Sequence, residues 1–173
     1  MQATPFSDDP LERPLQANLA PILGAEVGRG GMGRVLAASD PALDRRFAVK
    51  VIHDGDRGTV ADRRRTRRLV REARLLAGLQ HPGVVPVFEL GVTADRRPYY
   101  SMPLIEGLDL DAILTRHRSG DAAWPRNRLL EILAQVCDTV AYAHDRGVIH
   151  RDLKPANLMV ADSGAVYVMD WGL

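Results

Sequence analysis

The chain has 173 residues, 46% hydrophobic and 26% charged, with a formal net charge of +1, a balance that excludes a disordered polyelectrolyte and suits one globular domain or two small lobes. No run approaches the roughly 18 consecutive apolar residues of a membrane helix, and Met1 to Pro14 carries Asp8, Asp9, Glu12 and Arg13 where a secretion signal has an apolar core. The lone cysteine, Cys137, excludes an internal disulfide and points to a reducing, cytoplasmic setting.

Residues 1–20 are punctuated by Pro5, Pro10 and Pro14 without periodicity and read as a mobile leader or an edge segment. A strand is predicted from Ile22 to Val27, then the glycine cluster Gly28, Gly30, Gly31 and Gly33, then strands over Val35–Ser39 and Phe47–Ile52 across an Asp40-Pro41 turn. Connections this short favour antiparallel pairing. Leu69, Ala73, Leu76 and Leu79 recur at helical spacing and predict a helix stopped by Gly78 and His81-Pro82. Val84–Val92 and Pro98–Leu104 read as strands, Asp109–His117 and Asn127–Arg146 as helices, and Leu158–Val160 and Ala165–Met169 as short strands about a Ser163-Gly164 turn. The expected fold is α+β, a β-rich lobe with one helix followed by a mainly helical lobe.

Gly28-Arg29-Gly30-Gly31-Met32-Gly33 fits G-x-G-x-x-G. A dinucleotide-binding loop of that form needs a helix directly after its third glycine, and here a strand follows. A glycine loop between antiparallel strands can instead fold over phosphates and offer them backbone N–H groups. Lys50 ends the β-rich run Phe47-Ala48-Val49-Lys50, where an unmet charge would be costly, and Glu72 lies on the same side of the following helix as Leu69 and Leu76. The 23 basic residues comprise 21 arginines and two lysines, Lys50 and Lys154, so lysine stands at these two positions against a strong bias.

His150-Arg151-Asp152-Leu153-Lys154-Pro155-Ala156-Asn157, followed by Asp170-Trp171-Gly172, completes a set. With the glycine loop, the strand lysine and the helix glutamate, it resembles the eukaryotic-type serine/threonine protein kinases, in their order and near their spacings, over Ile22–Leu173. The resemblance implies a kinase-like fold: an antiparallel β N-lobe with one regulatory helix over 21–104, and an incomplete, mainly helical C-lobe over 105–173. It also implies ATP and Mg²⁺. Gly28, Gly30, Gly31 and Gly33 would cover the nucleotide phosphates, and Val27, Val35 and Ala48 would sandwich adenine. Pro103 would offer its carbonyl and Ile105 its N–H to the adenine edge, and Met102, Asp109 and Met159 would complete the nucleotide contacts. Lys50 would hold the α- and β-phosphates, kept in place by Glu72; Asp152 would accept the proton of a Ser/Thr hydroxyl on a protein substrate. Lys154 would neutralise charge on the transferring group, and Asn157 and Asp170 would hold Mg²⁺. Two oxygen donors suit a hard cation that also binds phosphates, and a loose phosphoryl-transfer transition state asks mainly for positioning and charge.

Two positions depart from the family pattern. Pro103 stands where the family commonly has Glu, which keeps the carbonyl and loses only an N–H. Trp171 replaces the more frequent Phe and should pack beneath the Glu72 helix, against Leu76 and His150. The run Arg63-Arg64-Arg65-Thr66-Arg67-Arg68 reads as a solvated helix face in preference to a nucleic-acid patch, with a phosphorylated segment or regulatory partner as the other use. His53, His81, His117 and His144 lack zinc-ligand spacing with Cys137. The sequence ends one residue past Gly172, short of the activation segment and later helices of the family. The helix with Leu129, Leu130, Ile132, Leu133, Val136, Val140 and Ala141 should therefore expose apolar surface and favour self-association. Such a fragment would transfer phosphate weakly or not at all; the alternative is a pseudokinase-like module that binds nucleotide without efficient transfer.

Overall fold

The computed structural model describes residues 22–30, 33–41, 43–52, 58–93 and 96–171. The proposed leader, Gly31, His53 and Gly172 lie outside them. The first half builds an antiparallel five-stranded sheet in the order β1-β2-β3-β5-β4, from β1 (Ile22–Arg29), β2 (Gly33–Asp40), β3 (Arg45–Ile52), β4 (Glu89–Val92) and β5 (Pro98–Met102). Strand periodicity divides β3 between two cores. Phe47, Val49 and Val51 join Leu36, Ala38 and Tyr99 on the outer face, whereas Ala48 and Ile52 join the main core with Leu69, Ala73, Leu76 and Tyr100.

Helix α1 (Val60–Gly78) packs on that second face through the apolar positions named by its spacing. Its start is chemically marked: Thr59 Oγ1 accepts from the N–H of Asp62 at 3.1 Å, and Asp62 Oδ2 accepts from the N–H of Gly58 at 3.1 Å. This reciprocal arrangement satisfies two donors at the helix entry. The second half contains α2 (Leu110–Arg118), α3 (Arg126–His144) and a three-stranded antiparallel sheet, β6 (Gly107–Asp109), β7 (Leu158–Ala161) and β8 (Val166–Val168), in the order β6-β7-β8. No helix among the described residues is long and apolar enough to cross a membrane.

Two expectations are corrected. Val84–Phe88 is not strand: Val84 makes only an isolated parallel bridge to Val168, and pairing begins at Glu89. Val84 and Val85 are buried because the connection threads the core, so their apolar character reflects burial and not a ladder. Asp109, read as the first residue of a helix, instead ends the strand Gly107–Asp109, which is too short to show periodicity, while the later half is mainly helical as expected. The connection is pinned by a close approach in which a Cβ added at Gly83 would lie 2.0 Å from Thr139 Oγ1 on α3. Tyr142 reinforces the pin, its hydroxyl accepting from the N–H of Gln80 at 2.9 Å and its ring lying 4.9 Å from that of His81. One continuous buried cluster thus runs from β3 and α1 through Val84 and Val85 to α3, β7, β8 and Trp171.

Candidate active site

Lys50 sits on the α1-facing side of β3, with Val35 and Tyr100 as its cross-strand partners. It is 7% exposed, and Glu72, directed at it from α1, is 1% exposed. Lys50 Nζ donates to Glu72 Oε1 at 2.7 Å and to Asp170 Oδ1 at 2.7 Å. Burial opposes the ammonium charge, but the two carboxylates outweigh it and raise the Lys50 pKa above its ordinary value. The Tyr100 hydroxyl donates to the same Glu72 oxygen at 3.0 Å, and burial together with that carboxylate pushes its pKa well up. Glu72 Oε2 is buried with no hydrogen-bond partner among the described residues.

A cleft of about 490 Å³ opens beside this group, within the size range of small-molecule sites. Val27, Gly28, Gly30, Gly33, Val35, Ala48, Lys50, Met102, Pro103, Ile105, Asp109 and Met159 all line it, as do Met169 and Asp170. Every described residue that the sequence assigns to nucleotide contact therefore faces one space. Asp109 also caps α2, accepting from the N–H of Ala112 at 2.7 Å through Oδ1.

The glycines differ in what requires them. A Cβ at Gly33 would fall 2.0 Å from the Val51 carbonyl oxygen, so the strand pairing itself demands glycine there. Among the described residues, the nearest atom at Gly28 would be Val35 Cβ at an ordinary 3.7 Å, and at Gly30 nothing lies within 4 Å. Packing among the described residues does not demand glycine at either position. Both line the cleft, and the absence of side chains there lets a ligand approach the backbone closely.

The second cluster lies on the segment after α3. Lys154 Nζ donates to Asp152 Oδ2 at 2.8 Å, and Asn157 Nδ2 donates to the same oxygen at 3.1 Å and to the Asp152 carbonyl at 2.8 Å. Those two side-chain donors, Lys154 first, hold the Asp152 carboxyl below its ordinary pKa. Asp152 Oδ1 has no partner among the described residues. With its nitrogen engaged, Asn157 keeps its amide oxygen available as a metal donor. The N–H of Met169 donates to the Asn157 carbonyl at 2.7 Å, which ties Asn157 to the residue preceding Asp170.

Buried His150 braces both clusters. Its Nδ1 accepts from the N–H of Asp152 at 3.3 Å, so Nε2 carries the proton and donates to the Met169 carbonyl at 2.8 Å. The ring lies 4.9 Å from that of Trp171, whose Nε1 donates to the Val168 carbonyl at 2.9 Å. Trp171 thus meets His150 as the sequence predicts and shares a buried cluster with Leu76. Arg151 (φ 66°) and Asp170 (φ 51°) both hold left-handed backbone conformations, which non-glycine residues adopt where surrounding contacts impose them.

Asp152, Lys154 and Asn157 stand outside the cleft lining, whereas Ala156 and Met159 belong to it, which puts the Asp152 group at its edge. Sequence reasoning missed Tyr100. Its signal is the two-residue period of β5, which sets Tyr100 on the same side as Met102 and opposite Lys50.

The family model described as protein kinase domain matches residues 22–173. Serine/threonine-protein kinase PknD of Protochlamydia amoebophila is 33% identical over 168 residues, covering 92% of this chain and 17% of the relative. PknD of Chlamydia caviae is 40% identical over 156 residues, covering 84% and 16% respectively. The chain thus spans about one sixth of the length of these curated relatives. Among solved structures, the kinase domain of Mycobacterium tuberculosis PknI superposes with a TM-score of 0.64 at 27% identity, over 88% of this chain and 59% of that one. A chain described as the apo form of PpkA-294 superposes with a TM-score of 0.74 at 22% identity, over 87% and 57%, and is similar in fold.

Proposed function

Because the chain belongs to the protein kinase domain family, we propose that it binds ATP and Mg²⁺ and carries the groups that transfer a phosphoryl group to Ser/Thr hydroxyls of a protein substrate. The observation that carries this reading is the buried Lys50, held between Glu72 and Asp170 at 2.7 Å from each and facing the glycine-lined cleft. An ammonium fixed in this way is a preorganised positive charge for phosphate oxygens.

The residues present fit the cofactors. The Gly28 and Gly30 backbone borders open cleft space, and Asn157 and Asp170 offer the hard oxygen donors that Mg²⁺ takes alongside phosphates. When bound, ATP supplies the γ-phosphoryl group and Mg²⁺ supplies charge neutralisation. The chain's own residues do the rest: Lys50 orients phosphate, Asp152 receives the substrate proton at Oδ1, and Lys154 places a positive charge beside it. Residues 21–104 and 105–173 act as two lobes about the cleft, with Pro103 and Ile105 presenting backbone groups to adenine. ATP-dependent work of this kind fits the cytoplasm, and copies of the chain associate through the apolar face of α3.

The test is transfer of labelled phosphate from ATP and Mg²⁺ to a generic basic protein, with Asp152→Asn as control. Transfer that Asp152→Asn abolishes supports the enzyme. Tight nucleotide binding with no transfer assigns the chain to the alternative, a nucleotide-binding interaction module.

A further inference from the structure

The outer face of α1 carries a line of charge that phosphoryl transfer does not use. Arg64, Arg67, Arg71 and Arg74 recur at alternating three- and four-residue steps, and all four are exposed. At about 1.5 Å per residue they form a stripe on the order of 15 Å long. The face is the solvated one that the sequence predicts, with Leu69, Glu72, Ala73 and Leu76 buried on the opposite side.

What distinguishes the stripe is the lack of compensation. The two carboxylates of α1 are spent elsewhere: Asp62 caps the helix start and Glu72 pairs with buried Lys50. None of the four guanidinium groups makes an ion pair or hydrogen bond among the described residues. Like charges at three- and four-residue spacing repel one another along a helix. An anionic ligand laid along the stripe would relieve that repulsion and meet planar forks suited to carboxylate or phosphate.

We propose that this face of α1 is a docking surface for an extended acidic peptide segment, about four or five residues of which span the stripe, bearing carboxylate or phosphate groups. The geometry favours a peptide over other polyanions. No aromatic residue lies on α1 to stack with bases, and no exposed apolar row flanks the arginines to enter a bilayer. The chain's net charge of only +1 also gives little general attraction for nucleic acid. This surface is independent of the transfer reaction, so its test does not depend on activity.

The full chain is titrated into three fluorescein-labelled peptides, one rich in Asp and Glu, one with phosphoserines, and one uncharged, and anisotropy is read at low and physiological ionic strength. The expected result is salt-sensitive binding of the acidic peptides only, with the tighter of the two identifying the preferred anion. The triple variant Arg67→Ala/Arg71→Ala/Arg74→Ala should weaken that binding by at least about tenfold. Arg118→Ala/Arg126→Ala, which removes two exposed arginines elsewhere, should leave it unchanged. Alanine is a strong helix former, and far-UV circular dichroism of the triple variant verifies that α1 persists. Equal binding by the triple variant and the parent would overturn the proposal, as would tighter binding of a single-stranded RNA or of phosphatidylserine vesicles in the same buffer.

Discussion

Lys50 Nζ and Glu72 Oε1 stand 2.7 Å apart with both side chains almost wholly removed from water. A buried pair of this kind is expensive to break from one side, because the remaining charge keeps its burial and loses its partner. Glu72→Ala also strips Tyr100 of its acceptor, so it should destabilise the fold by about 3 kcal/mol in chemical denaturation. Tyr100→Phe should cost only about 1–2 kcal/mol. Because Tyr100 donates directly to Glu72 Oε1, a double-mutant cycle should show clear coupling; additive losses would mean that Tyr100 and Glu72 act separately.

The same pair has a pH signature. Its lysine titrates above the ordinary 10.5 in the folded state, so the resulting stabilisation is fully present below that value and is lost as pH rises through the folded pKa. Compared with Lys50→Met/Glu72→Gln, which leaves no buried carboxylate without its cation, the parent's stability advantage should therefore stay constant from neutral pH to about 10 and change only beyond it. Denaturant titrations at stepped pH check this, and a change near neutrality would contradict a fully met ammonium.

Asp152 behaves in the opposite sense. Donation from Lys154, then from Asn157, holds its carboxyl below the ordinary 3.8, so it stays ionised until pH falls through that lowered value. Lys154→Ala removes the larger cause and should let the titration of Asp152 return upward, readable by carbon-13 NMR of the carboxyl. At neutral pH the carboxylate is charged in both proteins. Any fall in transfer with Lys154→Ala at that pH then reports lost charge at the reacting group, whereas Asp152→Asn should cost about a hundredfold or more as a lost base.

Much of this site was legible in the sequence because its residues carry chemistry that packing does not explain: a lysine in a β-rich run, an acidic residue on an apolar helix face, glycines between strands. What escaped was decided by tertiary pairing. Val84 and Val85 look like strand because buried connections and strands share apolar residues. Gly107–Asp109 is too short for a period, and Tyr100 matters only through the register that sets it opposite Lys50. The differing needs of Gly30 and Gly33 are likewise invisible in a motif that treats its glycines alike.

That difference is itself testable. Gly33→Ala drives a methyl group to within 2.0 Å of the Val51 carbonyl oxygen and should lower stability by about 1–3 kcal/mol. Gly30→Ala meets no atom of the described residues within 4 Å and should leave the melting transition nearly unchanged. Its effect should fall on nucleotide affinity, measured by titration with an ATP analogue. Equal melting losses in both variants would show that Gly30 serves the fold.

Helix α3 carries two unlike faces. Ile132, Val136, Thr139 and Ala143 face the core, while Leu130 and Leu133 remain 55% and 51% exposed. Cys137 and Ala141 continue the exposed line one and two turns on. An apolar row of this length on a helix gains free energy by burial against a matching surface. Two copies meeting along α3 would cover both rows at once, as a two-fold contact does. Sedimentation velocity over a range of concentrations should show the parent chain associating. Leu130→Glu/Leu133→Glu should weaken that association by at least about tenfold, since two leucines lose their burial and gain charges that repel across the contact. Because both positions face solvent within one chain, the substitution should leave the melting transition of dilute protein in place. Unaltered association would show that the copies meet elsewhere.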